Sequence, residues 1–226
     1  MKVNVAIMNA FVDGEHGGNP AGVVINADQY TRAQKLAIAR QLGLSETAFV
    51  SRSQQADFKL DFFTPEKQIA HCGHATIATF SYLSQLGLVP EAKTSKETID
   101  GNRDVEVQGD FAYMEQLAPK YQQLTEQKNK KVLDALGLTK DMTLAPAIIA
   151  NTGNGFLLMG VKSIAQLQAI VPDQLMISEI SKQFNLIGFY VFTQETNQAG
   201  RDASTRMFAP YYGIDEESAT GMAAGP

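Results

Sequence analysis

The sequence predicts an α+β protein. Three observations carry that prediction: short apolar runs of strand length dominate, only a few stretches show helical spacing, and the two kinds do not alternate regularly. Irregular alternation favours this class over a doubly wound parallel sheet, in which each strand is followed by a crossover helix. The 226 residues, 44% hydrophobic and 19% charged, suffice for one large domain or two small ones with real cores. Burial on that scale offsets the entropy of ordering and excludes disorder as the main state.

Taken in order, Lys2 to Phe11 has strand character, and GEHGGNPAG (Gly14 to Gly22) follows as a turn-rich loop. VVI, within Gly22 to Asn26, predicts the next strand. Thr31 is placed to cap a helix running to Leu42, with Ala33, Leu36, Ala37 and Leu42 at helical spacing and Gly43 as its stop. ETAFVS (Glu46 to Ser51) and DFKLDFF (Asp57 to Phe63) read as strands. His74 to Leu86 is apolar nearly all round and rich in Ala, which predicts a buried helix ended by Gly87 and Pro90. Between Gly101 and Leu117, GNRDVEVQG and DFAYMEQL predict two strands. The polar stretch PKYQQLTEQKNKK (Pro119 to Lys131) predicts an exposed linker or sheet edge. A helix at Lys131 to Leu136 and strands at Ala145 to Ala150 and Phe156 to Gly160 follow. Helices at Ser163 to Ile170 and Asp173 to Gln183 precede strands at Leu186 to Thr193 and Ser204 to Phe208.

Composition narrows the function. A net charge of −5, from 19 basic and 24 acidic residues, argues against a nucleic-acid binder, which needs a basic face. One cysteine makes no internal disulfide, and no apolar run approaches the roughly 20 residues that span a bilayer. MKVNVAIMNAFVDG lacks a signal peptide's long apolar core and small-residue cleavage site. The expectation is a cytoplasmic protein with a small-molecule partner and no membrane or nucleic-acid partner. Exposed sheet edges are consistent with a homodimer.

Two segments echo each other. DFFTPEKQIAHCGHATIATF from Asp61 and TRMFAPYYGIDEESATGMAAG from Thr205 each pass from an aromatic strand end through a Phe-x-Pro step and a short loop to a small-residue helix start. The echo predicts two similar lobes, residues 1–115 and 116–226. The first copy runs on through a full helix while the second reaches Pro226 at its helix start, so the second lobe is expected to be incomplete at its C-terminus. Matching helix N-termini, with free N–H groups and aligned dipoles, would attract a carboxylate between the lobes.

Several residues could carry chemistry. Glu46 opens an apolar strand beside Ser45 and Thr47, and desolvation there would raise its pKa toward the range of a general acid or base. Alternatively, it caps the preceding turn and faces water. Cys72 precedes the helix at His74 and is either a thiolate favoured by the helix dipole or a small buried residue. His71, Cys72 and His74 lack an outlying fourth ligand, and a metal site is rejected. GGNPAG and NTGNG match no phosphate loop or dinucleotide fingerprint. Asp215, Glu216 and Glu217 precede a helix start and either complement its dipole or place one acid opposite Glu46. A G-x-S-x-G elbow is missing, which removes serine-hydrolase logic.

MNAFVDGEHGGNPAGVV, LGLSETAFV, FFTPEKQIAHCGHATIA and FAPYYGIDEESATGMAAGP, in that order from Met8 to Pro226, resemble the PhzF-like isomerases of phenazine biosynthesis. The resemblance implies a diaminopimelate epimerase-like fold of two pseudo-symmetric lobes, each a sheet around a central helix. It also implies a cofactor-independent proton shift, with isomerisation of trans-2,3-dihydro-3-hydroxyanthranilate as the type reaction. Glu46 falls at the family's acid/base glutamate, which would move a proton from C3 to C1, and His74 at its active-site histidine. Gly73 and His74 would supply backbone N–H groups, while Asn19 and Ser45 match positions lining the cleft. In the acidic motif Glu217 stands where aspartate is usual, Ser218 replaces proline, and Met222, beside Gly221, takes a serine position near the substrate carboxylate. An amino-acid epimerase of the two-cysteine type lacks its second thiol here, since the chain has one cysteine. A non-catalytic carboxylate-binding protein on the same fold is the reading from a different class.

Overall fold

The computed structural model describes residues 2–89, 92–109 and 111–226. The expected helix stop at Pro90 and the first residue of the expected strand at Asp110 lie outside the described residues. The chain divides into two compact units, Met1–Gln116 with Ala219–Met222, and Leu117–Ser218 with Ala223–Pro226. The architecture is α+β, with a separate sheet in each unit.

In the first unit, β1 (Ala6–Asp13) and β2 (His16–Val24) form an antiparallel hairpin closed at Asp13 and His16. The loop expected from Gly14 to Gly22 is therefore mostly strand. Its glycines serve close backbone approach: a Cβ on Gly18, which has φ 87, would come within 2.6 Å of Asn9 Oδ1 and 2.8 Å of the Ala10 carbonyl. Turn-forming residues thus hid a strand from the sequence pattern.

Helix α1 (Arg32–Leu42) begins with a reciprocal capping box between Thr31 and Gln34 and ends at Gly43 in the left-handed region. Strands β3 (Glu46–Ser51), β4 (Phe58–Phe63) and β5 (Gln68–Ile69) follow, then helix α2 (Gly73–Gln85) and strands β6 (Lys93–Thr98), β7 (Gly101–Gln108) and β8 (Phe111–Met114). The sheet order is β1-β2-β3-β4-β6-β7-β8, with β5 paired to β4. Successive side chains on its central strands alternate between two buried faces. Val24, Phe49 and Phe63 pack on the side of Ala39 in α1, where Lys35 reaches Asp61 at 2.6 Å. Ala21, Val23, Ala48, Val50, Leu60 and Phe62 pack on the side of Ala75, Ala78 and Phe80 in α2.

Helix α2 touches β1, β2 and β3 near one end of the sheet and β7 and β8 at the other, so the sheet curls around it. Each fully buried phenylalanine, such as Phe62 and Phe80, contributes about 2–3 kcal/mol of transfer free energy to that core. Strand β6, KTSKET, was not expected. Its inward residues Thr94, Lys96 and Thr98 are polar, so the apolar alternation that marks a strand is missing.

In the second unit, β9 (Lys120–Gln123), α3 (Glu126–Leu136), β10 (Ile148–Asn151), β11 (Gly155–Gly160), α4 (Ile164–Ala169), α5 (Gln174–Phe184), β12 (Leu186–Thr193), β13 (Ser204–Ala209) and β14 (Ile214–Glu217) follow in order. The sheet order is β14-β13-β12-β11-β10-β9, which makes the exposed β9 an edge strand. Helix α3 starts at Glu126 rather than Lys131, because Thr125 caps it by accepting the Lys128 N–H. Only its last turns carry the buried residues Val132, Leu133, Ala135 and Leu136, which explains the late expectation. Those residues join Ile149, Leu157, Ile177, Phe189, Val191 and Phe208 in one core. Arg206 ties α4 to β14 by donating to the carbonyls of Leu167 (3.2 Å) and Ile170 (2.8 Å) and by a two-armed pair with Glu216.

The echo has a structural counterpart. From Asp61 the chain runs out along β4, returns antiparallel as β5 and enters α2 at Gly73. From Thr205 it runs out along β13, returns antiparallel as β14 and enters the short helix α6 (Gly221–Ala224).

Candidate active site

Strand period decides where Glu46 points. It shares a face with Ala48 and Val50, the residues that pack toward α2, and it is 6% exposed. In the parallel pairing of β2 with β3, Ala21 lies opposite Glu46, which puts the buried Asn19 on the same face two residues away. Glu46 therefore does not face water as a turn cap. The Oγ of Ser45, just before the strand, is buried and makes no hydrogen bond among the described residues.

Helix α2 begins beneath this face. Cys72 is its extended N-cap residue, and its side chain makes no capping hydrogen bond. An α-helix offers no intrahelical carbonyl to its first N–H groups, here those of Gly73, His74 and Ala75. His74, one residue into the helix, places Nε2 3.4 Å from Glu46 Oε2 and Nδ1 3.5 Å from Cys72 Sγ. Burial pushes the His74 pKa down to about 4, so the imidazole is neutral at pH 7.

The segment Ala219–Met222 is part of this same unit. Its Ala219 carbonyl accepts from Asn19 Nδ2 at 2.9 Å and its Gly221 carbonyl from Gln116 Nε2 at 3.4 Å. Met222 is buried on Gly73: a Cβ there would come within 2.5 Å of Met222 Cγ. Phe11, held at φ 60, lays its ring against Gly221. A bulky residue in that region carries strain of about 1–3 kcal/mol. Sequence reasoning missed Phe11, and the local sequence carries no signal of its backbone angle.

The structure thus gathers Asn19, Ser45, Glu46, Gly73, His74, Gly221 and Met222 in the first unit. Glu217 ends β14 in the second unit, half-buried and paired in register with Met207.

His71 turns away from this group. Its Nδ1 lies 3.1 Å from Nζ of Lys96, and its ring packs edge-on to Phe62. Burial first, then the charges of Lys96 and Arg103, push its pKa down to about 2. Lys96 is fully buried and held well below the usual lysine range by desolvation. It donates to Thr76 Oγ1 at 2.6 Å, and that hydroxyl donates to the Cys72 carbonyl at 2.5 Å, bracing the start of α2. Among the described residues, Glu46, Cys72 and His74 hold ligating atoms within 4.8 Å of one another. The ring nitrogen that faces the carboxylate is not the one that faces the thiol, however, so the trio as arranged is a row rather than a coordination shell.

A family described as phenazine biosynthesis-like protein, PhzC-PhzF, matches residues 8–226. This chain belongs to that family. An uncharacterized isomerase, YfhB, of Bacillus subtilis is 34% identical over 224 residues, covering 96% of this chain and 76% of its own length. The trans-2,3-dihydro-3-hydroxyanthranilate isomerase of Pseudomonas chlororaphis is 32% identical over 227 residues, covering 97% and 76%. The crystal structure of the PhzF-family phenazine biosynthesis protein of Bacillus anthracis superposes with a TM-score of 0.88 at 29% identity, covering all of this chain and 78% of that one. The chain is an enzyme of the isomerase type on the PhzF and epimerase-like fold. No helix among the described residues is long and apolar enough to cross a membrane.

Proposed function

We propose that this PhzF-family isomerase moves a proton within a small cyclic or amino- or hydroxy-carboxylate, with Glu46 as the acid/base and no cofactor. The observation that carries the reading is Glu46 buried on the α2 face with His74 Nε2 at 3.4 Å. In the step proposed, the Glu46 carboxylate takes a proton from an activated C–H. The electron pair left behind delocalises through the adjacent unsaturation, and the Glu46 carboxylic acid returns the proton to a second carbon. Ser45 Oγ, Asn19 and the first N–H groups of α2 are proposed to hold the substrate, and Glu217 to serve as a second acid/base group. The anthranilate-type substrate named for the Pseudomonas relative is the first to test.

The experiment is turnover of trans-2,3-dihydro-3-hydroxyanthranilate by the wild type and by Glu46→Gln. Conversion lost by at least a hundredfold in the variant, with the fold intact, supports the reading. A variant as active as the wild type ends it. A second reading, a carboxylate-binding protein without chemistry, is favoured by Met222, which sets a thioether over Gly73 at the start of α2. Its sign would be saturable binding of the same compound with no proton exchange.

A further inference from the structure

A thiol, an imidazole and a carboxylate stand in a row inside the first unit. Cys72 Sγ is 3.5 Å from Nδ1 of His74, and Nε2 on the other edge of that ring is 3.4 Å from Oε2 of Glu46. The three residues are 6%, 5% and 6% exposed. A neutral imidazole carries one N–H and one bare nitrogen, so whatever bonds one nitrogen fixes what the other offers. With Glu46 as the carboxylate, two arrangements exist. With hydrogen on Nδ1, the N–H would meet sulfur, a weak acceptor, and the Nε2 lone pair would face a carboxylate oxygen. With hydrogen on Nε2, the N–H meets the carboxylate and the thiol's S–H donates to Nδ1. The second gives Nδ1 a donor in the thiol and turns the N–H, rather than a lone pair, toward the carboxylate, which at 3.4 Å is an electrostatic contact and not a closed hydrogen bond.

We infer that Cys72 is a positioning residue whose S–H donates to His74 Nδ1 and so holds the imidazole as the Nε2–H tautomer directed at Glu46. The inference rests on the proposed role of Glu46 and adds a consequence to it. An imidazole held this way has no bare nitrogen facing Glu46. It cannot relieve Glu46 of a proton taken from substrate, and that proton stays on Glu46 until it is returned to carbon. Cys72 is itself fixed from behind, because Thr76 Oγ1 donates to its carbonyl and Lys96 Nζ donates to that hydroxyl. His71, the other histidine nearby, has its Nδ1 3.1 Å from Lys96 Nζ.

The test is imidazole 15N NMR on the substrate-free, full chain, with its three histidines assigned by His16→Gln and His71→Gln spectra. The expected result is a single Nε2–H tautomer for His74 at pH 7, a mixture of tautomers in Cys72→Ala, and return to one tautomer in Cys72→Ser, which keeps a donor. An Nδ1–H tautomer in the wild type, or no change in Cys72→Ala, would overturn it. Should Cys72→Ala fail to fold, the infrared S–H band decides, since the chain has one cysteine. A band shifted to lower frequency than a free thiol supports the inference; a free-thiol frequency, or no S–H band at pH 7, overturns it. With a turned-over substrate, Cys72→Ala is expected to raise deuterium wash-in from solvent severalfold. None of the spectroscopic results depends on turnover, so loss of the Glu46 assignment by an active Glu46→Gln would leave them readable.

Discussion

His74 Nε2 stands 3.4 Å from Glu46 Oε2, with the side chains 4% and 8% exposed. A neutral histidine buried against a carboxylate ties stability to pH. The folded pKa of about 4 lies below the ordinary 6.5, so between these values the unfolded chain binds more protons and acid favours unfolding. Stability is expected to fall by a few kcal/mol as pH drops from 6.5 to 4. His71, pushed to about 2, extends the loss to lower pH. Urea denaturation at pH 7, 5.5 and 4.5 checks this. Equal midpoints for the wild type, or the same slope in His74→Gln, would contradict it.

Lys96 gives the opposite end of the pH scale. Its folded pKa is lowered from 10.5, so from that lowered value up to 10.5 the unfolded state again binds the extra proton. Its contribution makes stability rise with pH through that window. Lys96→Met removes the contribution, keeps the volume and leaves Thr76 Oγ1 still bonded to the Cys72 carbonyl. The difference in unfolding free energy between the two proteins should therefore shift in favour of the wild type from pH 7 to 10. A difference independent of pH would refute a folded pKa of Lys96 lowered by burial.

Gly73 and Met222 are in van der Waals conflict with any added carbon, since a Cβ at 73 would sit 2.5 Å from Met222 Cγ. Gly73→Ala is expected to destabilise by about 1–3 kcal/mol. Met222→Ala should relieve most of that cost, giving a coupling of about 1–2 kcal/mol in a double-mutant cycle read by denaturant unfolding. Additive effects would mean that the two residues do not touch.

Arg206 holds the second unit through the carbonyls of Leu167 and the buried Ile170 at the end of α4 and through Glu216. Removing it in Arg206→Met leaves the Ile170 carbonyl without this donor and should cost about 1–3 kcal/mol. Arg206→Lys should not restore the loss, because an ammonium cannot reach both partners with a planar fork. Thermal unfolding of the three proteins distinguishes these outcomes.

Much of the fold was legible because its signals are local. Thr31 and Gly43 bracket α1 through a capping box and a left-handed stop, and both act at the residues that show them. Glu46 to Ser51 reads as strand and is strand, since five of its six residues are buried between α1 and α2. Strand β2 was hidden because Gly17, Gly18 and Pro20 are turn residues by composition, yet here they permit close pairing with β1. Strand β6 was hidden because its inward residues are Thr94, Lys96 and Thr98. The burial of Glu46 follows from strand period, and its meeting with His74 requires the sheet to curl around α2. The contact of Met222 with Gly73 joins residues 149 positions apart, and no local pattern encodes it.

The central claim is that Glu46 carries the migrating proton. It is tested most directly by running trans-2,3-dihydro-3-hydroxyanthranilate with the wild type and Glu46→Gln in deuterium oxide and following each ring position by NMR. The account predicts that the wild type forms the isomer with hydrogen or deuterium delivered to a new carbon, and that Glu46→Gln forms it at least a hundredfold more slowly while still binding the compound. Equal rates of formation and of deuterium delivery in the two proteins would contradict it.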